Sequence, residues 1–344
     1  MMRRFYWATV IVFFITVIIF VVIVNISRPR LLILHSYSPD YIWTAEVDKG
    51  LARVLDGNYF VRMRTHYMKT KRFNDKESLR RAGRIAIEVI NQSRPDVILA
   101  IDDYAQKLAA QYYVDKPGIS IVFAAVNGEI DIYGYDKASN VTGILERKPV
   151  NSIKEVVSVL GVKPNKGSQL RLRFLADSSL AARRDAELFV NVDWGEIDYQ
   201  GAIFVDDFTS WKKEISTLQN QTDIILVGGY RKLKYNDGRK GFVAPEELMQ
   251  WTDQNSTLPV VGNNIFNSRD GAMFSLGVSP YEQGEVSATM ALEILLNNRK
   301  AKDIPIATSQ QFVVAMRESS LRRRGLNIPR VYEAFARATE NYFP

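Results

Sequence analysis

From Pro29 onward, short apolar runs alternate with amphipathic stretches. Leu31-Leu32-Ile33-Leu34 is continuously apolar, as a strand buried on both faces requires. Thr44 to Leu55 has a helical pattern, and Tyr59 to Tyr67 alternates in strand formers. Ser78 to Gln92 places Leu79, Ala82, Ala86, Val89 and Ile90 on one helical face. Pro95 breaks the chain before a second buried strand, Val97 to Ile101. A short helix over Tyr104 to Tyr113, a turn at Pro117-Gly118 and an apolar strand over Ile119 to Val126 follow.

The same alternation returns after Leu170. Strands are predicted over Leu170 to Ala176, Ala202 to Val205, Ile224 to Val227, Pro259 to Val261, Ala272 to Leu276 and Gln311 to Met316. Helices are predicted over Leu180 to Val190, Trp211 to Asn220, Pro245 to Trp251 and Glu282 to Leu296, with a helical tail. Strand–helix repetition of this kind predicts an α/β fold of two Rossmann-like lobes with parallel sheets. The segment NVTGILERKPVN, around 140–151, reads as the joint between them.

Ahead of this lies Phe5 to Val24, with no charged residue. At 1.5 Å per residue it spans about 30 Å, the hydrocarbon thickness of a bilayer. It is longer than the apolar core of a signal peptide and lacks an A-x-A exit. The expectation is one uncleaved N-terminal transmembrane helix; a cleaved signal and a buried core helix are the alternatives. Arg3 and Arg4 on one side nearly balance Arg28 and Arg30 on the other. A short inner tail then puts the large body outside the cytoplasmic membrane, single-pass, in the periplasm or outside the cell.

The composition is ordinary for a globular chain: 344 residues, 47% hydrophobic and 24% charged. Cysteine is absent and there are two histidines, which excludes disulfide scaffolds, thiolate nucleophiles and multi-His metal sites. The net charge of +7 is spread along the chain, so no nucleic-acid partner is expected. No nucleophile elbow, H-E-x-x-H, Walker loop or dinucleotide fingerprint occurs, which disfavours an enzyme and predicts no cofactor.

Ligands of parallel α/β sheets bind beyond the carboxyl ends of the strands. That rule singles out Ser36 and Tyr37, Asp102, Asp103 and Tyr104, Asn127, Asp177 and Ser178, Tyr230 and Asn263, with Trp43 nearby. Small polar, acidic and aromatic side chains together suit a wet, hydrogen-bonding site with flat faces for stacking. Each has a plainer alternative: the aspartates as helix N-caps, the aromatics as core cover. Of the adjacent aspartates, one can cap the helix while the other meets a cationic group.

The run Leu31-Leu32-Ile33-Leu34-His35-Ser36-Tyr37-Ser38-Pro39-Asp40-Tyr41-Ile42-Trp43-Thr44, with Gly50, resembles the opening of a family of ABC-transporter substrate-binding proteins. These are relatives of tryptophan- and tyrosine-binding lipoproteins with a type I periplasmic-binding fold; close variants serve as sensor regions. PDVILAIDDYAQ (95–106), ISIVFAAVNGE (119–129), NVTGI (140–144) and the stretch 275–306 extend the resemblance. It implies lobe one over 30–143 plus 273–300 and lobe two over 144–272 plus 301–344, behind an anchor over 1–29. It also implies closure on a small polar ligand, an amino acid or similar, in an interlobe cleft. An ABC permease or a sensor kinase or cyclase would be the partner. Asp102-Asp103 and Asn127-Gly128 depart from the small-residue pair and Asp-Pro common in transport members. Two rival functions stay open: a ligand-independent signalling or scaffolding subunit docking a protein through the same lobes, and an enzyme using the aspartate pairs.

Overall fold

The computed structural model describes residues 2–73, 75–165 and 167–344, and the side chains of 2–5, 8, 9 and 180 lie outside that description. In chain order the first elements are α1 (Met2–Ile26), β1 (Arg30–His35), α2 (Ile42–Leu55), β2 (Arg62–Tyr67), α3 (Lys76–Ser93), β3 (Val97–Ile101), α4 (Asp103–Leu108), β4 (Ser120–Val126) and β5 (Val141–Leu145). There follow α5 (Val150–Val159), β6 (Leu170–Asp177), α6 (Leu180–Val190), β7 (Ile197–Val205), α7 (Phe208–Leu218), β8 (Ile224–Val227), α8 (Pro245–Asn255), β9 (Val260–Gly262), α9 (Ile265–Asp270) and β10 (Phe274–Val278). The chain ends with α10 (Pro280–Asn297), β11 (Ala307–Thr308), β12 (Phe312–Arg317), α11 (Glu318–Arg323), α12 (Arg330–Ala338) and β13 (Tyr342–Phe343).

Two compact units result: Met1–Glu146 with Pro280–Thr308, and Arg147–Ser279 with Ser309–Pro344. Both are α/β, and their sheets are parallel apart from the β10–β12 pair. The crossings differ from those the resemblance implies, and the strand pairing explains each difference. β5 pairs with β4, so the first unit keeps the chain through Glu146. β10 pairs with β9 and β12, so 274–278 stays in the second sheet and the chain returns to the first unit only at α10. β11 pairs with β5, which extends the first unit to Thr308.

The first sheet runs β11-β5-β4-β3-β1-β2. Its central strands are buried on both faces, and the side-chain period of two divides them between two cores. Leu31, Ile33, Val97, Leu99 and Ile101 pack with Val47 and Leu51 of α2 and Ala288 and Ala291 of α10. Leu32, Leu34, Ile98, Ala100 and Phe123 pack with Ala86 and Ile90 of α3. α2 and α10 touch backbone to backbone: a Cβ on Gly50 would lie 2.0 Å from the Tyr281 carbonyl oxygen, and one on Gly284 would lie 2.1 Å from that of Val47.

The second sheet runs β13-β12-β10-β9-β8-β6-β7. One of its cores joins Leu172, Phe174, Ile224, Leu226 and Phe274 to Ile153 and Val156 of α5. The other joins Leu175, Ile225, Val227 and Val260 to Trp211 and Ile215 of α7 and Leu248 of α8.

The helix expected at the N terminus forms. Its side chains from Ile11 to Ile26 are all exposed, and all but Thr16 and Asn25 are apolar. Among the described residues, however, no helix is long and apolar enough to cross a membrane. Phe5, where the expected span starts, and Arg3 and Arg4 ahead of it lie outside the described side chains.

Candidate functional site

In each sheet the first strand has its second strand on one side and its third on the other. β1 lies between β2 and β3, and β6 lies between β7 and β8. The connections leave in opposite directions there, opening a crevice at the carboxyl ends. In the first unit the crevice lies between the segments after β1 and β3. In the second it lies between those after β6 and β8.

In the first unit Ser36 is fully buried and holds the crevice together. Its hydroxyl donates to the Ile101 carbonyl at 2.8 Å and accepts the Ala105 N–H at 2.8 Å. Tyr37, the next residue, is half-buried and meets Tyr41 edge to face, with ring centroids 5.4 Å apart. Lys71 Nζ stands 4.8 Å from the Tyr37 ring centroid and 3.8 Å from that of Tyr41, and it donates to the Tyr41 hydroxyl. Such placement of an ammonium over π-faces is attractive.

Asp102 follows β3 with φ +69° and ψ 159°, a region that L-residues with a Cβ avoid. It is buried, and its side chain caps nothing. Burial raises its carboxyl well above the ordinary range; Glu146 and Asp103 add to this, while Lys71 and the Tyr37 hydroxyl oppose it. Burial likewise raises the Tyr37 phenol, with Asp102 the next contributor. A buried carboxyl in this setting favours a partner that donates hydrogen bonds or carries positive charge.

Asp103 has a different task. It accepts the Tyr133 hydroxyl at 2.6 Å and the backbone N–H groups of Asn127 at 3.2 Å and Gly128 at 3.3 Å. Asn127 Nδ2 donates to Glu146 Oε2 at 3.0 Å. An irregularity in β4 pairing between Phe123 and Val126, with Ala125 at φ +54°, re-aims this strand end. Tyr104 is half-buried in the first turn of α4. Trp43 packs on the core from the first turn of α2, and its buried indole N–H meets no acceptor among the described residues.

In the second unit the expected binding residues turn inward. Asp177 accepts the N–H groups of Ser179 and Lys232, both at 3.0 Å, and so pins the segments after β6 and β8 together. Half-buried Ser178 lends its carbonyl to Arg183 Nε at 3.4 Å. Tyr230 is only 1% exposed; its hydroxyl donates to Asp270 Oδ2 at 2.6 Å, where Arg231 also binds at 2.7 Å. Fully buried Asn263 donates to Asp185 Oδ2 at 3.0 Å and accepts Asn264 Nδ2 at 2.6 Å. Lys148 reaches Asn264 Oδ1 and lies 4.0 Å from Asp185.

The structure thus brings Tyr37, Asp102, Asp103 and Asn127 to one strand-end edge, whereas Ser36, Asp177, Tyr230 and Asn263 are buried and bonded within the protein. Strand-end position does not single out Tyr41, Lys71, Lys148 and Asp185, and Glu146 follows β5, which the sequence reads as a joint rather than a strand. Tyr41 lies within the run that carries the resemblance; the others sit on segments distant in sequence. Among the described residues no cluster of three or more Asp, Glu or His could hold a metal ion.

No protein-family model matches the chain, and no curated protein does. Solved structures do. The ligand-free, open form of a substrate binding protein with adhesive properties from Clostridium difficile superposes with a TM-score of 0.66 at 17% identity, over 92% of this chain and 98% of that one. An ABC domain in complex with L-Trp from Streptococcus pneumonia gives 0.59 at 16% identity, over 90% and 98%. A conserved domain protein from Vibrio cholerae gives 0.58 at 16% identity, over 90% and 98%. The resemblance seen in the sequence therefore holds at the level of the fold, and the chain shares the type I periplasmic-binding architecture of solute-binding proteins.

Proposed function

We propose that this chain is a non-enzymatic, extracytoplasmic solute-binding protein, held at the cytoplasmic membrane by α1. It takes a small polar ligand at the carboxyl ends of its strands and signals occupancy to a permease or a sensor partner. The observation that carries this reading is Asp102: a buried carboxyl on strained backbone, beside the Tyr37 hydroxyl, at the point where the strand order reverses. Strain of this kind costs about 1–3 kcal/mol and is kept where function uses it. A ligand bearing an amine and a flat or apolar portion suits the carboxyl and the phenol together. The L-Trp bound by the Streptococcus domain is a ligand of that chemical type.

The α1 reading rests on its surface. Helices apolar all round belong in a core or a membrane, and the described large apolar side chains of α1 from Ile11 to Ile26 are exposed.

The test is thermal unfolding of the full chain in detergent against amino acids and organic amines. A ligand at about a hundred times its Kd stabilises by about 2.7 kcal/mol. The expected result is a raised Tm with at least one amine that Asp102→Ala abolishes. No shift with any member of the panel overturns the reading.

A further inference from the structure

We infer that the amino-end edge of the first sheet rests on an anionic lipid surface through Tyr59, Phe60 and the basic side chains around them. The inference builds on the reading of α1 as membrane-embedded.

Every strand pair in this sheet is parallel, so the amino ends of β1, β2, β3, β4, β5 and β11 share one edge. α1 ends at Ile26 and β1 begins at Arg30. Even fully extended, that connection reaches only about 14 Å. The Pro29 carbonyl accepts the Arg62 N–H at 2.8 Å, which ties the exit of α1 to the start of β2.

Just before β2 the chain turns tightly. Tyr59 N–H donates to the Gly57 carbonyl at 3.1 Å and Phe60 N–H to Asn58 Oδ1 at 3.3 Å. Val61 goes into the core, while Tyr59 and Phe60 stay 79% and 75% exposed. Two adjacent aromatics standing in solvent beside the end of an apolar helix match the chemistry of a membrane interface.

Charge points the same way. Arg28, Arg62, Arg94 and Lys300 are exposed at this edge. Asp96 and Asp115 lie at this edge too and keep their charge, but the Arg30 guanidinium stands 3.7 Å from Asp96 and exposed Lys116 adjoins Asp115, so each has a basic neighbour of its own. Asp56 and Asp303 are exposed acids here. Basic side chains near an anionic bilayer contribute about 1 kcal/mol each.

The chain has no cysteine, so a single introduced one carries a unique environment-sensitive fluorophore. Phe60→Cys reports the edge, and Lys76→Cys, at the other end of α3, is the control. The full chain is reconstituted into phosphatidylcholine vesicles with and without about 30% phosphatidylglycerol. The expected result is a blue-shifted label at position 60, several-fold less quenched by iodide than the label at 76, most strongly with the anionic lipid. Added salt should weaken this protection as screening shortens. Combining Arg62→Glu, Arg94→Glu and Lys300→Glu should remove the protection while the chain still floats with the vesicles. A label at 60 as quenchable as that at 76, in a chain that floats, overturns this inference alone. A chain that does not float overturns it together with the reading of α1.

Discussion

The Tyr133 hydroxyl donates to Asp103 Oδ1 at 2.6 Å, and this bond ties the segment after β4 to the first turn of α4. Asp103 also accepts the N–H groups of Asn127 and Gly128, so one carboxylate sets the course of the chain beside the crevice. Tyr133→Phe removes one bond and should cost about 1 kcal/mol. Asp103→Ala removes a charged acceptor shared by three donors and should cost about 2–3 kcal/mol. Denaturant unfolding of both variants checks the order. Equal losses would mean that the Tyr133 bond carries the whole effect.

Asp102 makes the opposite prediction, because its carboxyl is raised rather than satisfied. A raised folded-state value means that the folded protein resists ionising this group. Its contribution to stability is fully present below the ordinary carboxyl range of the unfolded chain. It declines as pH rises through the folded value. Asp102→Asn deletes that decline, so the variant should gain on the wild type as pH rises and be the more stable at neutral pH. Asp102→Gly should gain about 1–3 kcal/mol more, since glycine accepts φ +69° without strain. Unfolding curves of the three proteins across pH separate charge from strain. If Asn and Gly are equally stable, the backbone at 102 stores nothing. Both variants should lose the ligand response, the usual exchange of stability for function.

Much of the architecture is legible because buried parallel strands are apolar throughout: Leu31 to Leu34 and Val97 to Ile101 stand out for that reason. β5 and α5 are not legible. The segment 140–151 reads as a joint, since Val141–Leu145 is short and holds Thr142 and Gly143, and its burial comes from β4 and β11. The site shows the same division. Strand-end position places Tyr37, Asp102 and Asn127 at one edge, but it does not reveal which way a side chain turns. Tyr230 turns inward because Asp270, on α9, supplies a buried acceptor. Lys71 joins Tyr37 and Tyr41 from the segment leading into α3, a meeting made by the fold.

Gly50 and Gly284 form a second pair whose role the sequence spacing hides. Each faces a backbone carbonyl of the opposite helix at a distance no Cβ tolerates. Backbone cannot rotate aside as a side chain can, so α2 and α10 must separate. Gly50→Ala or Gly284→Ala should each cost about 3 kcal/mol or more, the upper range for overpacking. Alanine otherwise favours a helix over glycine by about 1 kcal/mol. The sign of the measured change therefore decides the matter: a stabilised Gly284→Ala protein would show that the helices do not pack this closely.

Tyr230 tests whether a strand-end aromatic belongs to the site or to the core. Burial, then Asp270, holds its phenol well above the usual range, so it remains a neutral donor at any working pH. Tyr230→Phe keeps the ring among Trp211 and Phe266 and loses the hydroxyl's bond to Asp270, which retains Arg231, and its interaction with Asn267. The expected cost is about 1–2 kcal/mol, or a Tm lower by a few degrees. The ligand-induced rise in Tm should survive unchanged, because nothing on the crevice edge of the first unit has moved. Tyr37→Phe should do the reverse: it removes a hydroxyl beside Asp102, leaves the core alone, and reduces the rise. Measuring both variants with and without ligand gives four Tm values. If Tyr230→Phe abolishes the response while Tyr37→Phe retains it, the binding residues lie in the second unit and the assignment of Asp102 and Tyr37 fails.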